Sequence, residues 1–223
     1  MKKQSLAAAF LAGALVLSSC GASNAVKGAG IGAAGGAGIG AGIGRVLGNT
    51  AVGAVVGGVV GGTAGTLIGK KMDKQKKELE RDVKDAKIES VNDGQAIRVT
   101  FDSGILFATG SASLSSTSQA TLRKFAANLS EHSDTDLMII GHTDNTGTDR
   151  VNNPLSYNRA ASVRSFLAGQ GVSSSRMKVE GKGSYEPVAD NSTVAGRREN
   201  RRVEVYILPS KAMVKAAQDG TLK

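Results

Sequence analysis

The sequence predicts an α+β fold: a two-layer domain with helices on one face of a mixed sheet, preceded by a glycine-rich helical hairpin and a charged linker helix. Three observations predict it. Residues 28–69 are dense in glycine and nearly free of charge, and residues 70–89 are densely charged. Residues 97–207 then alternate strand-like and helix-like apolar patterns in the order β-α-β-α-β-β.

Composition excludes several classes of protein. The 223 residues carry 28 basic and 19 acidic side chains, a formal charge of +9. A single cysteine excludes a disulfide framework, and two histidines exclude a multi-histidine metal centre, so no metal is expected. No cofactor is expected either, because the one G-x-G-x-x-G match, at residues 30–35, lacks the strand and acid of a dinucleotide site. Aromatic residues are 4%, which disfavours nucleic-acid binding.

Residues 1–19 have the pattern of a secretory signal peptide. Lys2 and Lys3 precede an apolar run over residues 6–17, which is too short for a membrane span. Leu17-Ser18-Ser19-Cys20 resembles a bacterial lipobox, in which Cys20 receives a diacylglyceryl group, begins the mature chain and is acylated, typically with palmitate. Residues 20–27 would then be the lipidated N-terminus, and Gly21 favours sorting to the outer membrane. The alternative is an ordinary signal peptide with a chance cysteine.

Residues 28–69 repeat glycine at four-residue spacing, and Arg45 is their only charge. The repeat comprises Gly28, Gly32, Gly36, Gly40 and Gly44, and then Gly53, Gly57, Gly61, Gly65 and Gly69. This small-xxx-small pattern lets helices approach closely in lipid. With a turn at Gly48-Asn49, it predicts a membrane-associated hairpin that resembles the glycine zippers of outer-membrane lipoproteins. An unstructured apolar tether is the alternative.

Residues 70–92 are predicted to form a charged linker helix. Met72, Leu79, Val83 and Ala86 recur at roughly helical spacing among many charges. Such a helix would act as a stalk that lifts the following domain off the membrane, or as a solvated linker. Its lysine cluster could also touch anionic lipid.

Residues 93–210 are predicted to be one compact domain with a core of its own. After a turn at residues 91–94, apolar residues predict strands near 97–101, 137–140, 177–179 and 203–207. Ser115 and Ser116 are candidate caps of the first helix. Asn153 is the predicted cap of the second, with Pro154 at its first position and its end near Gly169. The tail, residues 211–223, is expected to fray.

The candidate site lies between the central strand and the second helix. Residues 141–147 form a polar loop at a strand end, where binding sites commonly lie. On the helix, Arg159 falls within the apolar arc, and a buried cation needs a partner or a ligand. Asp144 is the nearest acid in the loop. Either the two form a structural ion pair, or each meets one end of a zwitterionic ligand.

Several motifs occur in order along this region. They are Gly141-His142-Thr143-Asp144-Asn145-Thr146-Gly147, Asn152, Leu155-Ser156-x-x-Arg159-Ala160-x-x-Val163, Gly181-x-Gly183 and Asn200-Arg201-Arg202-Val203-Glu204. Together they resemble the OmpA-like peptidoglycan-binding domain, shared with Pal lipoproteins and MotB, over roughly residues 95–208. Asp102, Phe107 and Leu114 fit its earlier segment. Ala108, Thr109 and Gly110 depart from the Asp or Asn that many members carry after the phenylalanine, so a contact from that loop is in doubt.

The resemblance implies a non-catalytic protein of the outer membrane whose domain faces the periplasm and binds the meso-diaminopimelate of peptidoglycan stem peptides. Asp144 would take the ammonium of the diaminopimelate and Arg159 its carboxylate. Thr143, Asn145 and Asn152 match positions near the ligand. Arg202 is a further candidate, and Arg201 could fill its role.

A lipid anchor joined to a peptidoglycan-binding domain suggests a structural tether between outer membrane and cell wall. Two other functions compete with this hypothesis. A wall hydrolase using His142 and Asp144 has little support, because no nucleophile motif or catalytic carboxylate pair accompanies them. Alternatively, the glycine zipper could oligomerise or act on the membrane, with the domain as a passive anchor. A homo-oligomer is compatible with either non-catalytic function.

Overall fold

The computed structural model describes residues 60–223. Its elements are α1 (Gly62–Asp82), β1 (Ala86–Val91), β2 (Ala96–Asp102), α2 (Ser103–Leu106), α3 (Ser116–Glu131), β3 (Thr135–Gly141), α4 (Asp149–Gly169), β4 (Met177–Gly181), α5 (Val194–Asn200), β5 (Arg202–Pro209) and α6 (Lys211–Gln218). The predicted signal peptide, Cys20 and most of the glycine zipper lie outside the described residues. Among the helices of residues 60–223, none combines the length and the hydrophobicity of a membrane span.

The five strands form one mixed sheet in the order β1-β2-β5-β3-β4. All neighbouring strands are antiparallel except β3 and β4, which are parallel and are joined through the crossover helix α4. Asp102 pairs with Arg202, and Gly141 pairs with both Val203 and Gly181. The ends of β2, β3 and β4 and the start of β5 therefore lie together, at what we call the site end of the sheet.

The main core lies between one face of the sheet and the helices. It contains alternate residues of the strands and the apolar stripes of α1, α3, α4 and α6, with Phe101 and Phe125 in edge-to-face contact at 5.5 Å between ring centroids. The two-layer α+β architecture is confirmed. The opposite face is less polar than expected, because Met138, Tyr206 and Leu208 are buried in a smaller second cluster. β3 and β5 thus bury residues of both faces, as central strands do.

Helix α1 is part of this core, so the prediction that these charged residues form a free stalk is wrong. Ile68, Met72 and Leu79 are fully buried, and Gln75 donates from Nε2 to Oδ1 of Asn128 on α3 at 3.0 Å. The helix begins at Gly62, inside the glycine-rich segment, and ends at Asp82. Met72 and Leu79 fit the helical spacing seen in the sequence, but the dense charges gave no sign that this stripe packs into the domain.

The rest of the predicted linker helix is also different, because residues 86–91 form strand β1 paired with β2. The turn between these strands was predicted; Asn92, Asp93 and Gly94 all have positive φ. The tail does not fray over its first two turns. It forms α6, whose Met213, Val214 and Ala217 are buried in the main core, and α6 packs against α1.

The helix starts were predicted with mixed success. Ser115 caps α3 as expected, accepting a hydrogen bond from the amide of Ser118 at 3.1 Å. α4 begins one turn earlier than expected, after Thr148, so Asn153 is not its cap and Pro154 lies inside it. The carbonyl of Thr148 accepts hydrogen bonds from Val151 and Asn152, which starts the helix before the proline is reached. Pro154 lies in the second turn, so the helix forgoes the one hydrogen bond that its N–H would donate four residues back.

The described chain begins in a fixed position. The amide of Val60 donates to Oε1 of Gln95 at 3.0 Å, and Nε2 of Gln95 donates to the carbonyl of Val60 at 3.1 Å. Gln95 directly precedes β2, so this clamp lies at the end of the sheet opposite the site end.

Candidate functional site

Three segments meet at the site end of the sheet: the loop 142–148, helix α4 and the connection 182–201 between β4 and β5. The amide of Thr143 donates to the carbonyl of Gly183 at 2.8 Å, and the amide of Asn145 donates to Oδ1 of Asn191 at 3.3 Å. Helix α4 approaches the strands closely at two glycines. A Cβ on Gly141 would lie 2.0 Å from the carbonyl oxygen of Ser156, and one on Gly181 would lie 2.5 Å from the amide of Tyr157.

Arg159 projects from α4 into this region and is 3% exposed. Its guanidinium lies 5.4 Å from the ring centroid of Phe107, and its Nε donates to the carbonyl of Ser111 at 3.0 Å. Among residues 60–223, no carboxylate lies within ion-pair distance of it. Burial lowers the pKa of Arg159, the nearby Arg201 lowers it further, and Asp144 partly offsets both. Arg159 is therefore a buried cation that lacks a direct counterion within the described chain.

Asp144 is buried and pairs with Arg201. Its Oδ2 accepts from Nη1 of Arg201 at 2.5 Å, and its Oδ1 accepts from the amide of Thr146 at 2.9 Å. Burial alone would raise the pKa of Asp144, but the hydrogen bonds from Arg201 and Thr146 outweigh burial and hold the pKa below its ordinary value. The direct Asp144–Arg159 ion pair, one of two alternatives from the sequence, does not form. We call Asp144, Arg159 and Arg201 the charge clasp.

Arg202 is not brought to Asp144, so the structure favours Arg201 over the first choice from the sequence. Nε of Arg202 donates to Oε1 of Glu204 at 2.7 Å, and the hydroxyl of Tyr206 donates to Oε2 of Glu204 at 2.8 Å. The alternation of residues along β5 could have placed Arg202 beside Glu204 from the sequence alone. Because Val203, Val205 and Ile207 face the main core, Arg202 and Glu204 must share the opposite face.

The other predicted residues lie around the clasp in different environments. Asn152 is buried and donates from Nδ2 to the carbonyl of Asp144 at 3.2 Å, which fixes the loop. Thr143 is buried, and its hydroxyl has no hydrogen-bond partner within the described part of the chain. Asn145 is exposed at the rim. The sequence did not single out Ser111, whose backbone carbonyl binds Arg159, because a backbone contact leaves no residue-type signal.

His142 is unsuited to catalysis. The ring is 1% exposed, and its Nε2 lies 3.9 Å from Oε2 of Glu204. Burial and then the charge of Arg202 lower the pKa of His142 to about 4, although Glu204 acts in the opposite direction. A general base must reach its substrate, and this imidazole is enclosed while Asp144 is engaged by Arg201.

Comparison with known proteins identifies two regions. Residues 106–201 match the OmpA family, and residues 1–73 match the YMGG-like Gly-zipper family. The chain is 36% identical to the probable lipoprotein YiaD of Escherichia coli over 62% of its own length and 63% of that protein. It is 38% identical to the peptidoglycan-binding protein ArfA of Mycobacterium tuberculosis over 50% of its own length and 34% of that protein. The matched region thus spans less than two thirds of each relative.

A solved structure agrees with these matches. The cell wall anchor of the T6SS from Pseudomonas aeruginosa superposes with a TM-score of 0.54 at 32% identity, covering 60% of this chain and 96% of that one. The resemblance read from the motifs is confirmed, for both the folded domain and the glycine-rich segment.

Proposed function

Since residues 106–201 form an OmpA-family domain, we propose that this protein binds peptidoglycan without cleaving it and tethers the outer membrane to the cell wall. Cys20 would carry the lipid anchor, and the domain would face the periplasm. The relatives support this proposal, because one is named a lipoprotein and another a peptidoglycan-binding protein.

The observation that carries the proposal is the excess of cations in the charge clasp. Two guanidinium groups, Arg159 and Arg201, face one carboxylate, Asp144. An unpaired charge in a buried position is costly, so the clasp is poised to receive an anion. A carboxylate fits best, because a guanidinium offers two parallel N–H donors to its two oxygens. The terminal carboxylate of diaminopimelate would meet Arg159.

Asp144 supplies the complementary charge for the ammonium beside that carboxylate. Because Oδ2 of Asp144 is already bound by Arg201, the ammonium would share Asp144 with Arg201 or displace it. Each charge-assisted hydrogen bond contributes about 1.5–3 kcal/mol. A site with both signs of charge distinguishes the zwitterionic end of diaminopimelate from a neutral amide or a Lys-type stem. Thr143, Asn145, Asn152 and the neighbouring Arg202 serve as supporting residues in this proposal.

The test is a pull-down of the full-length protein, in detergent, with purified sacculi that contain diaminopimelate. Arg159→Ala and Asp144→Asn should each abolish retention. Arg198→Ala is the matched control, because Arg198 is an exposed arginine at the same end of the sheet, paired with Asp102. Far-UV circular dichroism would verify that each variant is folded. Full retention of both clasp variants would refute the site, and release of soluble muropeptides would refute a purely binding role.

The match of residues 1–73 to a glycine-zipper family favours a second, compatible role. The glycine repeats that precede α1 would associate with the membrane or with a second copy of the chain, leaving the domain as an anchor. Replacing Gly32, Gly36 and Gly40 by leucine should reduce cross-linked oligomers in membranes. Unchanged cross-linking would exclude self-association through this segment.

A further inference from the structure

Exposed apolar side chains lie on the two segments that border the charge clasp. Within residues 60–223, five large apolar side chains are exposed, and all lie on α4 or on the connection 182–201: Val151, Tyr157, Tyr185, Val188 and Val194. That connection leaves β4 beside Thr143, which donates to Gly183, and it ends at Arg201 on Asp144. An exposed apolar group next to a binding site is a candidate contact for its ligand, and of the five Tyr185 is the one joined to the start of α4.

Tyr185 is held in place although it is exposed. Its side chain is 63% accessible, yet its hydroxyl donates to Oδ2 of Asp149, the first residue of α4, at 2.8 Å. Its backbone amide closes a turn by donating to the carbonyl of Lys182 at 3.1 Å. The ring therefore has little rotational freedom to lose on binding, which lowers the entropic cost of using it as a contact. A rigid tyrosine offers a broad apolar face with a polar edge.

We propose that Tyr185 is a platform for a sugar ring of the glycan strand that carries the bound stem peptide. A pyranose presents axial C–H groups on one face and hydroxyls at its edge, so it complements an aromatic face bordered by polar groups. The carboxylate of Asp149, which accepts the hydrogen bond of the Tyr185 hydroxyl at 2.8 Å, places a polar group at the edge of the ring. This inference rests on the proposed function, because it assumes that the clasp holds the stem.

The test compares two ligands on the full-length protein in detergent: a free stem peptide containing diaminopimelate, and the same peptide attached to its disaccharide. Tyr185→Ala should weaken binding of the disaccharide-peptide about fivefold, the size typical of an aromatic residue outside the central hot spot. It should leave binding of the free peptide unchanged. Tyr185→Phe keeps the ring and should retain most of the affinity.

Tyr157→Ala is the matched control, because Tyr157 is 49% exposed but lies two residues from Arg159, on the far side of α4. It should change neither affinity. The proposal fails if Tyr185→Ala leaves disaccharide-peptide binding unchanged, or weakens both ligands equally. A different result would refute the underlying function: Asp144→Asn would then leave binding of the free peptide intact, regardless of the result for Tyr185→Ala.

Discussion

Arg201 and Asp144, 57 residues apart in sequence, form a direct ion pair at the site end of the sheet. The pair joins the loop after β3 to the residue that precedes β5. It also leaves Arg159, the other arginine of the clasp, without a carboxylate of its own among the described residues. Asp144 therefore stabilises Arg201 by direct contact and Arg159 only at longer range.

Arg201→Ala should destabilise the fold by about 1 kcal/mol at neutral pH, a small value because the arginine is partly exposed. The pKa of Asp144 is lowered in the folded protein, so the pair's contribution is fully present above the unfolded value of 3.8 and is lost as pH falls through the lower folded value. Urea titrations at pH 7 and pH 3 would measure this difference. Arg198→Ala is the control, and a larger loss at pH 3 than at pH 7 would contradict the prediction.

His142 should make the free energy of unfolding depend on pH, in a range above the one in which Asp144 titrates. Its pKa is about 4 in the folded protein and 6.5 for the unperturbed group. Between these two pH values, the imidazole is protonated in the unfolded chain and neutral in the folded chain. Stability therefore falls as pH decreases from above 6.5 toward 4, by about 3 kcal/mol in total at 1.36 kcal/mol per pKa unit. Burial is the main cause of the lowered pKa of His142; the charges of Arg202 and, less, Lys182 lower it further, and Glu204 opposes them.

The measurement is the free energy of unfolding of wild type and His142→Gln between pH 7.5 and pH 4.5. The wild type should lose more stability over this range than the variant, whose residue 142 does not titrate. Parallel curves would show that His142 does not carry the dependence.

Gly141→Ala should destabilise the domain by about 3 kcal/mol or more, because the new Cβ would lie 2.0 Å from the carbonyl of Ser156 and would force α4 away from β3. Gly169→Ala, at the end of α4, is the control. Its Cβ meets nothing within 4 Å, so the change should be neutral or slightly stabilising. Thermal melting of both variants would test this; equal melting temperatures would mean that the close approach is not required.

Helix α1 should contribute to the stability of the domain. Leu79→Ala removes a fully buried side chain and should cost about 2–5 kcal/mol. Lys74→Ala, on the exposed side of the same helix, should cost less than about 0.5 kcal/mol. Urea unfolding followed by circular dichroism would compare them, and a single shared transition is expected. If Leu79→Ala had no effect, α1 would not be coupled to the fold.

The sequence predicted the parts of the fold whose signal is periodic. Strand alternation placed β2 and β5, and the apolar run at residues 137–140 identified a central strand. The prediction failed where one sequence feature, such as dense charge or a proline, suggested a different structure from the one that forms. The charges of α1 suggested a solvated linker or stalk, although its Met72 and Leu79 are buried in the core of the domain. Pro154 suggested a helix start, although the helix begins one turn earlier, after Thr148.

In the candidate site, too, some residues could be predicted from local sequence patterns and others could not. Loop 141–147 and Arg159 could be singled out because a cation on an apolar helix face is unusual. Strand alternation could have placed Arg202 beside Glu204, but the partner of Asp144, Arg201, is 57 residues away in sequence. Pairings of this kind depend on tertiary structure, which local sequence patterns do not specify.

The clamp between Val60 and Gln95 has a mechanical consequence. The chain toward the proposed anchor leaves at one end of β2, and the clasp lies at the other, about 20 Å away for a seven-residue strand. Tension between membrane and wall would run parallel to the strands. Interstrand hydrogen bonds lie perpendicular to that direction, so the load would shear many of them together instead of peeling them one by one. The sheet would then resist pulling through a slow forced-unfolding rate, largely independently of its equilibrium stability.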